Sequence, residues 1–201
     1  MKNLILKFIF FTSLASLLIL TACAVSTKKG ASTISHSADS SESKPKASAL
    51  IGKVMVLDFT LNDLTDLPNP PQELARIAHF NEAFKQKLAS DGVDIVPVNN
   101  KIKSISETQS ATYLFDHTDV AASLAEGSGA DYIIVGVAMK PTYLFVYPRL
   151  LLVDVKTKRK AFTAYVQMEG SWLDNTTTSS SANRLASKVS EELKEISSQA
   201  N

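Results

Sequence analysis

The stretch DYIIVGVAMKPTYLFVYPRLLLVDVKTKRKAFTAYVQM, residues 131–168, contains three apolar segments in a row. The segments 131–139, 143–155 and 161–168 are rich in β-branched and aromatic residues, which favour strands, and Pro148 is expected to break the second of them. The polar residues 156–160 predict a tight turn that joins the last two segments as a hairpin. The stretch therefore predicts three neighbouring strands of one sheet.

The segments before and after this stretch alternate between strand and helix patterns. Residues 52–59 and 93–98 are short apolar runs that predict strands, and residues 99–117 are polar and poorly periodic, which predicts a loop. Helical spacing of apolar residues predicts helices at 72–90 and 180–197. Thr118 or Asp119 can cap a short helix that ends at Ala125, before Gly127 and Gly129. The order β-α-β-α-β-β-β-α predicts an α/β domain, with α+β as the alternative. We expect one mixed sheet of about five strands with about three helices packed on it.

The N-terminus has the layout of a secretory signal. Lys2 and Lys7 precede a mostly apolar run at 8–20, which is shorter than the ~20 apolar residues of a membrane-spanning helix. The run ends in small residues followed directly by Cys23, the single cysteine of the chain. One cysteine excludes an intramolecular disulfide and a zinc site built on cysteine pairs.

The junction Leu20-Thr21-Ala22-Cys23 resembles the lipobox of bacterial lipoproteins. In that family the signal peptide is cleaved before the cysteine, which then carries fatty acyl chains such as palmitate. The resemblance implies a signal peptide at 1–22 and membrane attachment through lipid on Cys23. Because Ala24 rather than Asp follows the cysteine, it also implies the periplasmic side of the outer membrane. The alternative is an ordinary signal peptide with a chance cysteine.

Residues 24–50 have the composition of a tether. They contain eight serines, four lysines and only two acidic residues, with almost no large apolar side chain. Such a segment cannot bury enough apolar surface to offset the entropy lost on ordering. As a flexible coil it would span about 30 Å. The sequence thus predicts a signal peptide at 1–22, a lipidated Cys23 with its tether at 23–50, and a single globular domain at 51–201.

Charge and histidine content argue against several functional classes. The chain has 21 basic and 20 acidic residues, so no excess of positive charge favours nucleic acid. His36 lies in the tether, and His79 and His117 lie in no recognisable nucleophile or metal motif. A hydrolase centred on His117 is the weakest hypothesis, because its neighbours fit the start of a helix. We predict a non-enzymatic protein with no cofactor and no metal.

Three acidic residues lie at predicted strand ends. Asp58 closes the first strand, Asp131 opens the third and Asp154 closes the fourth. A carboxylate that becomes buried on folding needs a hydrogen-bonding or ionic partner, or else its pKa is raised. We expect each of these residues to accept hydrogen bonds from a nearby loop amide or helix start, which is a structural role.

Four motifs carry a family resemblance: VMVLDF at 54–59, GADYIIVGVAMK at 129–140, LLLVDVKTKR at 150–159 and MEGSW at 168–172. With the last helix, they resemble a bacterial family catalogued as domain of unknown function 2380, which has no agreed activity. More distantly, the chain is similar to small envelope domains of the TolB N-terminal, curli-secretion and penicillin-binding-protein-activator types. The resemblance implies a domain of the cell envelope that binds proteins or assembles, rather than an enzyme.

The aromatic residues of the fourth predicted strand are the best candidates for binding. Strand alternation puts Tyr143, Phe145 and Tyr147 on one face and Leu144 and Val146 on the other. Trp172 lies at a junction between strand and helix. Either helices cover both faces, or the aromatic face and Trp172 contact an envelope protein partner. The alternative function is binding of a small ligand or glycan, and self-association stays open.

Overall fold

A computed structural model describes residues 52–69, 71–168 and 174–199. The strands of these ranges are β1 Val54–Val56, β2 Thr60–Asp63, β3 Ile95–Val96, β4 Tyr132–Thr142, β5 Phe145–Asp154 and β6 Lys160–Tyr165. The helices are α1 Pro71–Ser90, α2 Asn100–Thr108, α3 Tyr113–Asp116, α4 Thr118–Ala125 and α5 Asn175–Gln199. One mixed sheet with helices packed on it confirms the predicted α/β class. The expectation of about three helices is wrong, because five are present in the described ranges.

The sheet combines a parallel half and an antiparallel half. Its strand order is β3-β1-β4-β5-β6, with β2 also paired to β4. Strands β1 and β2 lie end to end along β4 and parallel to it, because Val54 pairs with Tyr132 and Thr60 pairs with Val137. Strands β4, β5 and β6 form an antiparallel meander. The three apolar segments of 131–168 are therefore neighbouring strands, as predicted.

Helices cover both faces of the sheet near β1. Alternate strand residues, such as Val54 and Val56, pack against α1 and α5 in the larger core. The residues between them, such as Met55, pack against α2, α3 and α4 in the smaller core. Burial on both faces explains why these strands read as nearly continuous apolar runs.

The gap between β1 and β2 is held by a side chain of α1. The Phe59 amide donates to Asn81 Oδ1 at 2.8 Å, and Asn81 Nδ2 donates to the Phe59 carbonyl at 3.1 Å. The Phe59 ring packs edge-on against Phe80 and Phe84, with ring centroids 5.1 Å and 5.3 Å away. Asn81 thereby supplies hydrogen-bond partners for the Phe59 amide and carbonyl, which lie between the two strands. The Phe59 ring lies in the larger core.

Gly136 of β4 is required by the position of the Phe59 ring. A Cβ built at Gly136 would lie 2.6 Å from ring carbon Cδ1 of Phe59, far inside van der Waals contact. We expect Gly136→Ala to lower the free energy of unfolding by about 1–3 kcal/mol, because a packed ring must move. Urea unfolding followed by circular dichroism measures the loss. In a Phe59→Leu background the same substitution should cost clearly less; an equal cost in both backgrounds would rule out the clash.

The predicted loop at 99–117 is largely helical. Asn99 caps α2, since its Oδ1 accepts the Ile102 amide at 3.0 Å. Only Ile102 of α2 is buried, so the helix has too few apolar residues for a clear periodic pattern. The last helix also begins earlier than predicted, at Asn175, because Asp174 Oδ1 accepts the amides of Thr176 and Thr177 at 2.9 and 3.1 Å.

The fourth predicted segment needs two corrections. Tyr143 and Leu144 form the turn between β4 and β5, so the strand begins at Phe145. Pro148 does not break the strand. Its carbonyl accepts the Val166 amide at 3.1 Å, and the Val146 carbonyl, two residues earlier, accepts the Met168 amide at 2.8 Å, so the pairing continues past the proline.

Asp58 is not the buried strand-end acid that the sequence predicts. Its side chain is 63% exposed and forms an ion pair with Lys85 of α1. The prediction holds for the other two acids. Asp131 Oδ2 accepts the Lys53 amide at 2.8 Å, and Asp154 Oδ1 accepts the Thr157 amide at 2.6 Å.

Candidate functional site

Part of the sheet surface on the side of α2, α3 and α4 extends beyond these helices. The register pairs Met139 with Tyr147, and Arg149 with Tyr165, so these side chains share one face of β4, β5 and β6. Together with Pro141 they line one groove. Tyr165 is 61% exposed. We call these five residues the open face.

The open face continues into an apolar surface at the end of the β4–β5 hairpin. Tyr143 and Leu144 in the turn are 60% and 59% exposed, and Phe145 is 37% exposed. The Phe145 and Tyr147 ring centroids are 6.4 Å apart, which makes the two surfaces continuous.

Three leucines are exposed at the same end of the sheet. Leu64 follows β2 and donates its amide to the Lys140 carbonyl at 3.0 Å, and Leu67 and Leu74 lie just before and within the first turn of α1. We call the six residues the apolar end: Leu64, Leu67, Leu74, Tyr143, Leu144 and Phe145. In the described ranges, the exposed large apolar side chains are these six and Tyr165 of the open face. Exposed apolar surface is therefore concentrated in one region.

A buried ionic cluster supports the apolar end from inside. Lys140 Nζ lies 2.8 Å from Asp63 Oδ2 and 2.6 Å from Glu73 Oε2. The side chains of Lys140, Asp63 and Glu73 are 2%, 8% and 0% exposed. The cluster joins the last residue of β2, the far part of β4 and the first turn of α1. It fixes the backbone from which Leu64, Leu74 and the hairpin turn project.

The cluster shifts the pKa values of its members in different directions. Burial raises the pKa of Glu73 above its usual value, and hydrogen bonding to Lys140 offsets this only in part. Burial lowers the pKa of Lys140, but the two carboxylates outweigh burial and raise it overall. For Asp63 burial raises the pKa, while bonds from Lys140 and Thr65 bring it below its usual value. Lys140 therefore stays charged and is the ion that holds the site together.

Arg76, one turn after Glu73 on α1, ties the cluster to α5. Its Nε donates to Thr178 Oγ1 at 2.9 Å, and Thr178 in turn donates to the Asp174 carbonyl at 2.9 Å. Burial lowers the pKa of Arg76, although the nearby Asp174 and Glu73 act in the opposite direction. Glu73 Oε1 is buried and accepts no hydrogen bond within the described part of the chain. Arg76 thus links the contact between α1 and α5 to the ionic cluster that supports the apolar end.

The predicted binding residues are found partly where the sequence placed them. Phe145 and Tyr147 share the face that helices leave uncovered, and Val146 points into the larger core, as alternation predicts. Tyr143 and Leu144 lie in the exposed turn, so the strand alternation predicted for these two residues is wrong. Trp172 and Cys23 lie outside the described residues.

Sequence reasoning missed Met139, Arg149 and Tyr165. Their exposure depends on how far α2, α3 and α4 extend over the sheet, and no local pattern reports that. The one available signal was Tyr165, an aromatic residue in a strand that also contains Lys160 and Thr163. A strand of that composition belongs at an edge.

The two histidines in the described ranges, His79 and His117, contact neighbouring side chains of the helices. The His117 ring packs against Tyr113 with a centroid distance of 4.7 Å, and His79 Nε2 lies 2.8 Å from Ser179 Oγ, which joins α1 to α5. Across 52–69, 71–168 and 174–199, neither histidine pairs with a carboxylate, and no three metal-binding side chains gather. In the same ranges, no helix has the length and apolar character needed to span a membrane.

Comparison with known proteins gives one family and several structures of low similarity. The family described as "Protein of unknown function (DUF2380)" matches residues 52–187. No curated protein sequence matches the chain.

The solved structures that resemble the chain include the PelC dodecamer from Paraburkholderia phytofirmans, with 19% identity, 72% of this chain and 89% of that chain covered, and a TM-score of 0.44. The LpoB C-terminal domain from Salmonella enterica has 16% identity, 59% and 83% coverage, and a TM-score of 0.42. Lipoprotein GNA1162 from Neisseria meningitidis has 14% identity, 72% and 96% coverage, and a TM-score of 0.43.

Proposed function

Given that the chain belongs to the DUF2380 family of proteins of unknown function, we propose that it is a non-catalytic, protein-binding module of the bacterial cell envelope. In this proposal lipid on Cys23 anchors it to the membrane, on the periplasmic side of the outer membrane. Residues 23–50 form the tether and residues 51–201 form a single domain. The open face and the apolar end together bind an envelope protein.

The observation that carries the proposal is the concentration of exposed apolar side chains in one region. Isolated surface leucines need no explanation, but several exposed apolar side chains gathered at one end of a domain are typical of an interaction surface. Tyrosine, phenylalanine, methionine and arginine are also the residue types that are enriched at the centres of protein interfaces. The open face and the apolar end contain all four types.

Within the domain, this surface lies at the opposite end of β4 from the point where the chain enters the sheet. The chain enters the sheet at Val54, which pairs with Tyr132 at the start of β4, whereas the apolar end lies beyond Thr142 at the end of β4. Strand β4 has 11 residues and is therefore about 36 Å long. A tether of about 30 Å would let the domain turn its far end toward a partner without contact with the bilayer.

Photocrosslinking in cells tests the proposal. With p-benzoylphenylalanine in place of Tyr143 or Tyr147, we expect the same envelope protein to be crosslinked from both positions. The double substitution Leu144→Ser with Phe145→Ser, in the apolar end, should reduce the yield of the crosslinked product at least tenfold. Loss of side chains that are buried at an interface costs about 2 kcal/mol or more of binding free energy. The matched control position is Glu195, an exposed residue near the C-terminal end of α5.

Two results would contradict this function. Equal crosslinking from Glu195 would mean that the contacts are random. A product that contains glycan and no protein would favour the alternative, a glycan-binding module.

A further inference from the structure

Strand β6 is an edge strand whose outer side is unpaired in the described part of the chain. The Val166 amide donates to the Pro148 carbonyl at 3.1 Å, and the register continues through the pairs Leu150–Ala164 and Leu152–Phe162. In an antiparallel ladder, hydrogen-bonded pairs alternate with pairs that are not hydrogen-bonded to each other. The amides and carbonyls of Thr163 and Tyr165 therefore point away from β5, toward the free edge.

The same two residues place their side chains on the side of the open face. Tyr165 pairs with Arg149, so both side chains stand on one face of the sheet, and Thr163 is exposed two residues earlier. A strand added beside β6 would extend the open face by one strand. Its alternate side chains would lie next to Tyr165.

Two cationic side chains flank this part of the edge. Arg149 lies beside Tyr165 on the open face, and Lys188 of α5 reaches to 3.5 Å from the Tyr165 carbonyl. Among the described residues, neither Arg149 nor Lys188 forms an ion pair with a carboxylate. Arg149 stands on the open face, whereas Lys188 reaches the edge from α5 on the opposite face of the sheet. An acidic side chain on either face of an incoming strand would therefore meet one positive charge, and a basic one would be repelled.

We propose that the partner binds by adding an extended segment to the free edge of β6, and that this segment carries an acidic side chain beside Tyr165. This inference rests on the proposed function and specifies how the same surface recognises its partner. Main-chain hydrogen bonds to Thr163 and Tyr165 supply affinity, and an ion pair with Arg149 on the open face or with Lys188 on the opposite face supplies specificity.

A second copy of this chain does not fit that edge. Two β6 strands paired through Thr163 and Tyr165 would bring the Lys188 side chains of both copies to one seam. Like charges brought together in an interface are unfavourable. The occupant is therefore a different chain with an acidic extended segment.

The test uses the full-length chain, purified in detergent, and a displayed library of random twelve-residue peptides as the probe. We expect the selected peptides to alternate apolar and polar residues and to carry Asp or Glu. The decisive variant is Thr163→Pro, which removes an outward amide and leaves the bonds to β5 intact. Its matched control is Thr163→Val, which keeps the amide and the strand propensity.

Strand addition predicts that Thr163→Pro weakens peptide binding at least tenfold, while Thr163→Val changes it by less than about threefold. The variant Arg149→Glu with Lys188→Glu leaves the backbone unaltered and should also reduce binding at least tenfold. Equal binding by the proline and valine variants would overturn the proposal, and so would selection of basic peptides or of none. If Tyr147 still crosslinks an envelope protein in any of these cases, the proposed function stands and only strand addition fails.

Discussion

Replacement of Lys140 by methionine is expected to lower the free energy of unfolding by about 3–5 kcal/mol. Methionine matches the length of the lysine stem but leaves the carboxylates of Asp63 and Glu73 buried without the cation that bonds both. Removing one member of a buried ion pair is costly because the remaining charge is neither solvated nor neutralised. Urea unfolding at neutral pH, followed by circular dichroism, measures the change.

The matched control is Lys85→Met. Lys85 also pairs with one carboxylate, that of Asp58, but the two side chains are 35% and 63% exposed. Water replaces the lost partner there, so the expected cost is about 0–1 kcal/mol. A Lys140→Met variant as stable as this control would show that the buried carboxylates take up protons at little cost, and the cluster could not then be the support of the apolar end.

A second comparison separates charge from packing. Addition of Asp63→Asn and Glu73→Gln to Lys140→Met removes every charge of the trio at similar side-chain size. We expect this triple variant to recover part of the lost stability, because no buried charge is left uncompensated. No recovery would assign the loss to the packing of the lysine stem.

The central strands and the two long helices could be predicted from local patterns alone. The β4–β6 meander follows from three apolar segments with a polar turn, and α1 follows from apolar residues at helical spacing, such as Ile77 and Phe84. These signals are local because each buried face repeats with the period of its own element.

The ionic cluster could not be predicted in this way. Lys140 is 77 residues from Asp63 and 67 residues from Glu73, and each looks like an ordinary surface charge in its own segment. Only the pairing of β2 with β4, together with the start of α1 above them, brings the three together.

Helix α2 was missed for a different reason. Its cap, Asn99, was a valid signal, but a helix with one buried residue has little apolar periodicity.

Replacement of Cys23 by serine is expected to abolish lipid labelling of the chain. The proposal assigns membrane attachment to acyl chains on this cysteine, and serine cannot accept the thioether-linked lipid. A single acyl chain binds a membrane only marginally, at about 0.8 kcal/mol for each buried CH₂ group, so a lasting anchor needs the several chains that a lipobox cysteine receives. Incorporation of labelled palmitate, with and without globomycin, is the measurement, because an uncleaved signal peptide could still hold the variant in the membrane fraction.

The matched control moves the cysteine rather than removing it. Cys23→Ser combined with Ser26→Cys keeps one thiol in the chain but separates it from Leu20, Thr21 and Ala22, and it should remain unlabelled. Labelling of this variant would show that acylation does not depend on the lipobox. An unlabelled wild-type chain would contradict the anchor itself. The open face and the apolar end would then have to meet their partner from free solution, without the raised local concentration that a tether of about 30 Å provides.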